Sequence, residues 1–374
     1  MELDLEIDRT QTNSKRWQGR GETIALTIGD SDFRLPGSIY NALSNRLDEG
    51  VVGYDAVPES LMDLIIVRFH ELYAWQVQPE WLVFLLGVVP GLNIAGRRLT
   101  HPDQAIATET PIYYPFFDVP VNADRRMLEL AAVLGDQRLC FDLERFEDLA
   151  RMQKIGMLML CNPQNPLGRV LHREELLVIA ELCLSHEIVL CSDEIHCDLI
   201  YTGYEHIPIA SLGLEISNST VTLMSPSKAF GISGIGGAFA VIPNPAIRAQ
   251  FEAAAAGINP GLTALPIAAM QAAYGECQNW LDETVNYLQA NRDFLYENLR
   301  KIPGIDLVNP EGTYFLWIDC SKTGFNDPYT VLCEAGVELS NGDAFGDSTY
   351  LRLNFASPRA RLEKALSRLQ TLFG

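Results

Sequence analysis

Lys228, in the run Ser225-Pro226-Ser227-Lys228-Ala229-Phe230-Gly231, is the side chain with the most chemical promise in this chain. It is one of only six lysines, and it follows an apolar run with hydroxyls and glycines around it. A lysine in such a place is poised for a lowered pKa and for Schiff-base chemistry. Its two serines could donate to a phosphate, although a plain turn lysine in solvent fits this segment as well. A second segment, Ser192-Asp193-Glu194-Ile195-His196, ends the apolar run IVLCS. A carboxylate at the end of a parallel strand can pair with a protonated ring nitrogen; Asp193 could also cap a short helix. In Asn162-Pro163-Gln164-Asn165-Pro166-Leu167-Gly168, two X-Pro steps and a glycine specify a rigid turn. Asn165 would project its amide from that turn. Gly87-Val88-Val89-Pro90-Gly91 opens a helix whose first backbone N–H groups could hold an anion. Arg352, alone in the apolar stretch Tyr-Leu-Arg-Leu-Asn-Phe, needs an anionic partner, either a structural carboxylate or that of a substrate.

Four of these five segments follow an apolar run of strand length, and the fifth residue lies inside one. Strands are expected at Trp81–Leu86, Ala105–Glu109, Met127–Val133, Ile155–Cys161, Ile188–Ser192, Thr220–Met224 and Ala238–Ile242. Helices are expected from Pro36, after Pro58 and over Arg173–His186. Strands apolar throughout and separated by helices predict an α/β fold, with a mostly parallel sheet covered on both faces. After about residue 260 the pattern changes to a long helix, Trp280–Lys301, two strands, Thr313–Asp319 and Tyr350–Phe355, and a closing helix from Pro358. We therefore expect a large α/β domain over 46–265. A smaller α+β domain is expected to combine 1–45 with 266–374.

Composition narrows the possible partners. The chain has 374 residues and a net charge of −20, which repels phosphate backbones and argues against nucleic acid. Its longest apolar stretches fall short of the ~20 residues of a membrane span, and the acidic start MELDLEIDRTQ is unlike a signal peptide. A cytoplasmic protein is expected. The eight cysteines form no CxxC pair and read as buried thiols, and the six histidines lack HExxH or HxH spacing, so no metal is expected. The glycine run 231–237 precedes a strand and lacks the GxGxxG order, so it is no dinucleotide loop.

Taken in order, GYDAVPESL (53–61), GVVPG (87–91), TPIYYPF (110–116), NPQNPLG (162–168), SDEIHCDL (192–199), SPSKAFG (225–231) and YLRLNF (350–355) resemble the fold-type I pyridoxal-phosphate enzymes of the class I/II aminotransferase superfamily. Within it, SDEIH, TPIYYPF, GDSDF (29–33) and His206-Ile207-Pro208 resemble the MalY/PatB-type C–S β-lyases, or cystathionine β-lyases. Gly236 stands where aspartate-type aminotransferases usually keep an arginine; GDSDF replaces the more usual ADMDF, and Gly231 a frequent asparagine.

The resemblance implies pyridoxal 5′-phosphate covalently attached to Lys228, which also moves the substrate's Cα proton. It implies that Asp193 keeps the pyridine nitrogen protonated and that Tyr113 stacks on the ring, these three forming the catalytic set. Asn165 and His196 are expected at the ring's 3′-oxygen, with Asn165 also facing the substrate. The amides of Val88 and Val89, with Ser225 and Ser227, are expected on the phosphate, joined by Tyr54 from the partner subunit of a homodimer. Arg352 is expected to bind the substrate's α-carboxylate. The activity implied is β-elimination from L-cystathionine or a related S-substituted cysteine, giving thiol, pyruvate and ammonia. The alternative is amino transfer to a 2-oxo acid.

Overall fold

A computed structural model describes residues 3–135 and 138–373. Seven strands form its main sheet: β1 (Leu82–Leu85), β2 (Ala105–Thr110), β3 (Arg126–Ala131), β4 (Ile155–Cys161), β5 (Val189–Asp193), β6 (Thr220–Met224) and β7 (Ala238–Val241). Their order across the sheet is β1-β7-β6-β5-β4-β2-β3, and β7 alone runs antiparallel to its neighbours. The mostly parallel α/β architecture expected from the apolar runs is borne out, each predicted strand falling within a residue or two of an observed one.

The reason is visible in β4. Met157, Met159 and Cys161 enter the core on one face of the sheet, while Leu158 and Leu160 enter the core on the other. A strand covered on both sides has no polar face and so reads as an unbroken apolar run. After α1 (Gly37–Asp48) and α2 (Glu59–Tyr73), helix α3 (Val88–Arg98) closes the first of these cores, and helices that include Arg173–Ser185 close the second. Helix α3 lies against the sheet at Gly91, where an added Cβ would stand 2.7 Å from a Leu223 methyl and 2.9 Å from one of Leu85.

The chain's second half builds a four-stranded antiparallel sheet from β8 (Asp306–Leu307), β9 (Phe315–Asp319), β10 (Ser340–Asn341) and β11 (Tyr350–Asn354), in the order β8-β9-β11-β10. Gln278–Leu299 and Arg359–Phe373 are the long helix and closing helix read from the sequence. Residues near the start of the chain join this half: Ile24–Ala25 pairs in parallel with Val337–Glu338. Asp32, buried, accepts from Trp17 Nε1 at 2.8 Å and from Arg361 Nη1 at 2.8 Å, with Arg9 and Arg16 also within ion-pair distance. Those cations hold its carboxyl below the usual range despite the opposing effect of burial, which is the largest single influence.

Candidate active site

Strands β1, β4, β5 and β6 all run the same way, so their C-terminal ends lie along one edge of the sheet. Gly87, Asn162, Asp193 and Ser225 sit at or just beyond those four ends. An edge of this kind is where open parallel sheets bind ligands. A cavity of about 230 Å³ opens there, lined by Val88, Val89, Tyr113, Asn165, Asp193, His196, Ser225, Ser227, Lys228 and Arg352. Every residue expected at the site from the sequence is among these except Tyr54, which lies in the loop before helix Glu59–Tyr73 with its side chain fully exposed.

Lys228 is held among the residues that follow β6. The Ser227 amide donates to Ser225 Oγ at 3.1 Å, and Ser225 Oγ donates to the Gly237 carbonyl at 2.6 Å. The hydroxyl proton of Ser225 is thereby committed to the protein. Lys228 Nζ donates to the Gly29 carbonyl at 2.6 Å, which also accepts from Tyr314 Oη at 3.0 Å. Burial pulls the ammonium down to a pKa of about 8, assisted by the Arg352 cation, while Asp30 and Asp193 oppose the shift. The neutral, nucleophilic form of Lys228 is therefore far more accessible near physiological pH than for an ordinary lysine.

Asp193 is buried and its carboxylate accepts one backbone hydrogen bond, from Ile195 N at 3.1 Å. No helix begins after Asp193 among the described residues, so the cap read from the sequence is not formed; this bond closes a local turn and leaves most of the carboxylate without a partner. Burial raises its pKa to about 7. A cationic N–H placed opposite would restore the ionised form. His196, also buried, is kept neutral first by desolvation and then by the cations Lys228 and Arg352, and its Nδ1 has no partner among the described residues. The rings of Tyr314 and Phe315 meet it edge-on at 5.7 Å.

Arg352 projects from β11 between two aromatic faces, with its guanidinium carbon 4.0 Å from the Phe315 centroid and 4.6 Å from that of Phe345. Nη1 donates to Asn165 Oδ1 at 2.8 Å and Nη2 to Ser340 Oγ at 3.3 Å, while the buried Nε has no partner among the described residues. Of the two partners foreseen for this arginine, the structural carboxylate is missing among the described residues: its two bonds run to a neutral amide and a hydroxyl. Burial brings its pKa down to about 10, and it stays charged at neutral pH. A buried cation with no protein anion beside it is arranged to receive one.

The edge of helix α3 completes the site. Gly87 precedes the first turn in extended conformation, no side chain caps it, and Pro90 brings no N–H. The amides of Val88 and Val89 therefore open toward the cavity end of the helix, a natural anion seat. Tyr113 rests 4.8 Å, centroid to centroid, from Tyr114, and burial pushes its hydroxyl pKa up, so it stays protonated.

Sequence reasoning assigned no role to Gly29, Tyr314, Phe315, Phe345 or Ser340. Gly29 belongs to GDSDF, a motif noted only for its resemblance, and its closeness to Lys228 is specific: a Cβ there would lie 3.2 Å from Nζ. The others carry no local motif and reach the site only through the tertiary fold.

Comparison with known proteins agrees with this geometry. Residues 24–369 match the family model for class I and II aminotransferases. The chain is 33% identical over 384 residues to the cystathionine beta-lyase PatB of Bacillus subtilis (strain 168), covering 99% of each, which bears out the MalY/PatB-type resemblance. Its fold superposes with a TM-score of 0.96 on the crystal structure of OvoB, at 42% identity and covering 99% and 98% of the two chains. With cystalysin from Treponema denticola, whose crystal structure contains pyridoxal 5′-phosphate, the TM-score is 0.94 at 30% identity, covering 99% and 98%. A model match that spans nearly the whole chain, over a sheet edge that gathers the motif residues, leads to one conclusion: this protein belongs to the class I and II aminotransferase family.

Proposed function

We propose that this protein is a pyridoxal-phosphate-dependent C–S β-lyase that cleaves L-cystathionine or related S-substituted cysteines to a thiol, pyruvate and ammonia. The observation that carries the reading is the convergence of Lys228, Asp193 and Arg352 on one cavity. The names of its relatives support the lyase over other uses of that site.

The residues present fit the cofactor. Among the described residues no cation pairs directly with Asp193, His196 Nδ1 and Arg352 Nε have no partner, and no side chain caps the first amides of α3. The amides of Val88 and Val89 would hold the phosphate with Ser227, while Ser225 orients the Ser227 amide. Asp193 would face the ring nitrogen, Tyr113 the ring, and Asn165 and His196 its 3′-oxygen. When bound, pyridoxal phosphate supplies an electron sink for negative charge at the substrate's Cα.

The chain does the rest. Arg352 fixes the α-carboxylate with its unpaired guanidinium edge, held planar between Phe315 and Phe345. Lys228, whose pKa burial lowers to about 8, takes the Cα proton as general base in its neutral form and can return it. The Gly29 carbonyl keeps Nζ on the substrate side while it does so. Burial of the site limits water around both groups.

Tyr54, exposed in its own chain, would reach the phosphate of a second copy, making the protein a homodimer with shared sites. The domain division at 46–265 and the cytoplasmic location belong to the same reading. Among the described residues no helix is long and apolar enough to cross a membrane.

The test is direct. Protein with added pyridoxal phosphate is given L-cystathionine and no 2-oxo acid, and pyruvate is assayed. Sustained pyruvate release, lost in Lys228→Ala, is the expected result. No pyruvate, with turnover appearing only when a 2-oxo acid is supplied, would replace the lyase by an aminotransferase, the activity that gives the family its name.

A further inference from the structure

Directly behind Asp193 lies a buried polar pair that the mechanism above does not use. β5 ends at Asp193, and side chains alternate along an extended strand, so the next residue, Glu194, points away from the cavity. Its side chain is fully buried. Its Oε1 accepts from Ser192 Oγ at 2.8 Å and its Oε2 meets His206 Nε2 at 2.9 Å. His206 comes from the loop after β5, is itself buried, and has the edge of the Tyr73 ring 5.7 Å away at 76°. The backbone N–H of Glu194 donates to the Leu223 carbonyl at 2.9 Å. Four residues on, Asp198 pairs with Arg68 Nη2 at 2.5 Å. The stretch that carries Asp193 and His196 is thus tied down at both ends by contacts on its reverse side.

Asp193 needs such support. One backbone bond to Ile195 N holds its own carboxylate. It cannot fix its own direction, and a buried carboxylate that swings loses both its partner and its water. We infer that Glu194 and His206 are positioning residues: their hydrogen bond, with that of Ser192, holds the Asp193 carboxylate where a cofactor ring nitrogen meets it. The hydrogen bonds do this, and the charge is secondary. Glutamine at 194 would keep the bonds, because its amide can donate to the other tautomer of His206 while its carbonyl accepts from Ser192. The inference rests on the reading of pyridoxal phosphate as cofactor.

The experiment titrates apoprotein with pyridoxal phosphate, following the visible absorption band, for wild type, Glu194→Gln, Glu194→Leu and His206→Phe. Removing the bonds in Glu194→Leu or His206→Phe raises the cofactor's dissociation constant about ten- to hundredfold, the usual effect of losing an orienting partner. The band maximum and its pH dependence move as well. Glu194→Gln stays within about twofold of wild type. If His206→Phe does not fold, Glu194→Leu supplies the same comparison. Two results overturn the inference. One is a lower melting temperature with unchanged cofactor affinity and band, the mark of a structural role alone. The other is Glu194→Gln binding as weakly as Glu194→Leu. Wild-type apoprotein that takes up no pyridoxal phosphate overturns the functional reading, and this inference with it.

Discussion

Replacing Arg352 by lysine keeps the charge and removes the fork. In the structure the guanidinium is placed by two contacts at its tips, Asn165 Oδ1 at 2.8 Å and Ser340 Oγ at 3.3 Å, and by the rings of Phe315 and Phe345 on its faces. An ammonium can satisfy one carboxylate oxygen but not two in parallel, and it stacks poorly. One hydrogen bond between charged groups contributes about 1.5–3 kcal/mol, and each 1.4 kcal/mol is about tenfold in affinity. Arg352→Lys should therefore raise the KM for L-cystathionine about ten- to hundredfold, with a smaller effect on kcat. Cofactor affinity, measured on the apoprotein, should change less than KM, because among the proposed cofactor contacts Arg352 hydrogen-bonds only Asn165. Initial rates of pyruvate release across substrate concentration give the split. A KM within twofold of wild type, or a loss confined to kcat, would remove Arg352 from the role of carboxylate clamp.

Three further outcomes follow from the same geometry. Lys228 has a folded pKa near 8 against 10.5 when free, so the unfolded chain binds more protons between those values and stability rises with pH across that window. Lys228→Met apoprotein should accordingly exceed wild type by about 3 kcal/mol at pH 7 in urea unfolding, a margin that shrinks from pH 8 to pH 10.5; a constant margin sinks the argument. Gly91→Ala places a methyl group 2.7 Å from Leu223, and should cost about 1–3 kcal/mol of stability and weaken cofactor binding by shifting α3; an unchanged melting temperature would contradict this. Finally, inactive Tyr54→Ala and Lys228→Ala proteins, mixed and allowed to exchange subunits, should recover about a quarter of wild-type activity, because each hybrid dimer keeps one intact site. No recovery, with exchange confirmed by mass, would place Tyr54 outside a shared site.

How much of this was legible beforehand depends on where each contact comes from. β4 and β6 could be read to the residue because strands buried on both faces show nothing but apolar side chains, and their ends are marked by the turn chemistry of NPQNPLG and the serines around Lys228. Asp193 was ambiguous between helix cap and cofactor partner; no helix follows it, and a single turn bond to Ile195 N leaves the carboxylate open to a ligand. The Gly29 carbonyl on Lys228 could not be read, because a backbone acceptor has no residue type and its donor lies far along the chain. The same holds for Glu194 and His206. Both stood inside segments used for resemblance, yet nothing in their spacing says that the two imidazole and carboxylate groups meet in the core. Phe315 and Phe345 read as ordinary core, and only the fold puts Arg352 between them.

The pairing of Ile24–Ala25 with Val337–Glu338, and of Asp32 with Arg361, has a bearing on how the protein is made. Chains emerge from the ribosome N-terminus first, and early segments fold with whatever partners have already been synthesised. Within itself the first segment already pairs Asp32 with Trp17, Arg9 and Arg16, but its strand partner and Arg361 come only with almost the last residues. The strands that lead to Asp193 and Lys228 can assemble well before that, but Arg352 cannot take its place, nor can the Asn354 amide hold the Ile28 and Asp30 carbonyls on either side of Gly29, until translation is nearly complete. A nascent or prematurely terminated chain thus carries the lysine without its anion clamp and without the Asn354 contacts that flank Gly29. On the proposed function, the site is completed only when the strand carrying Arg352 and Asn354 has been made.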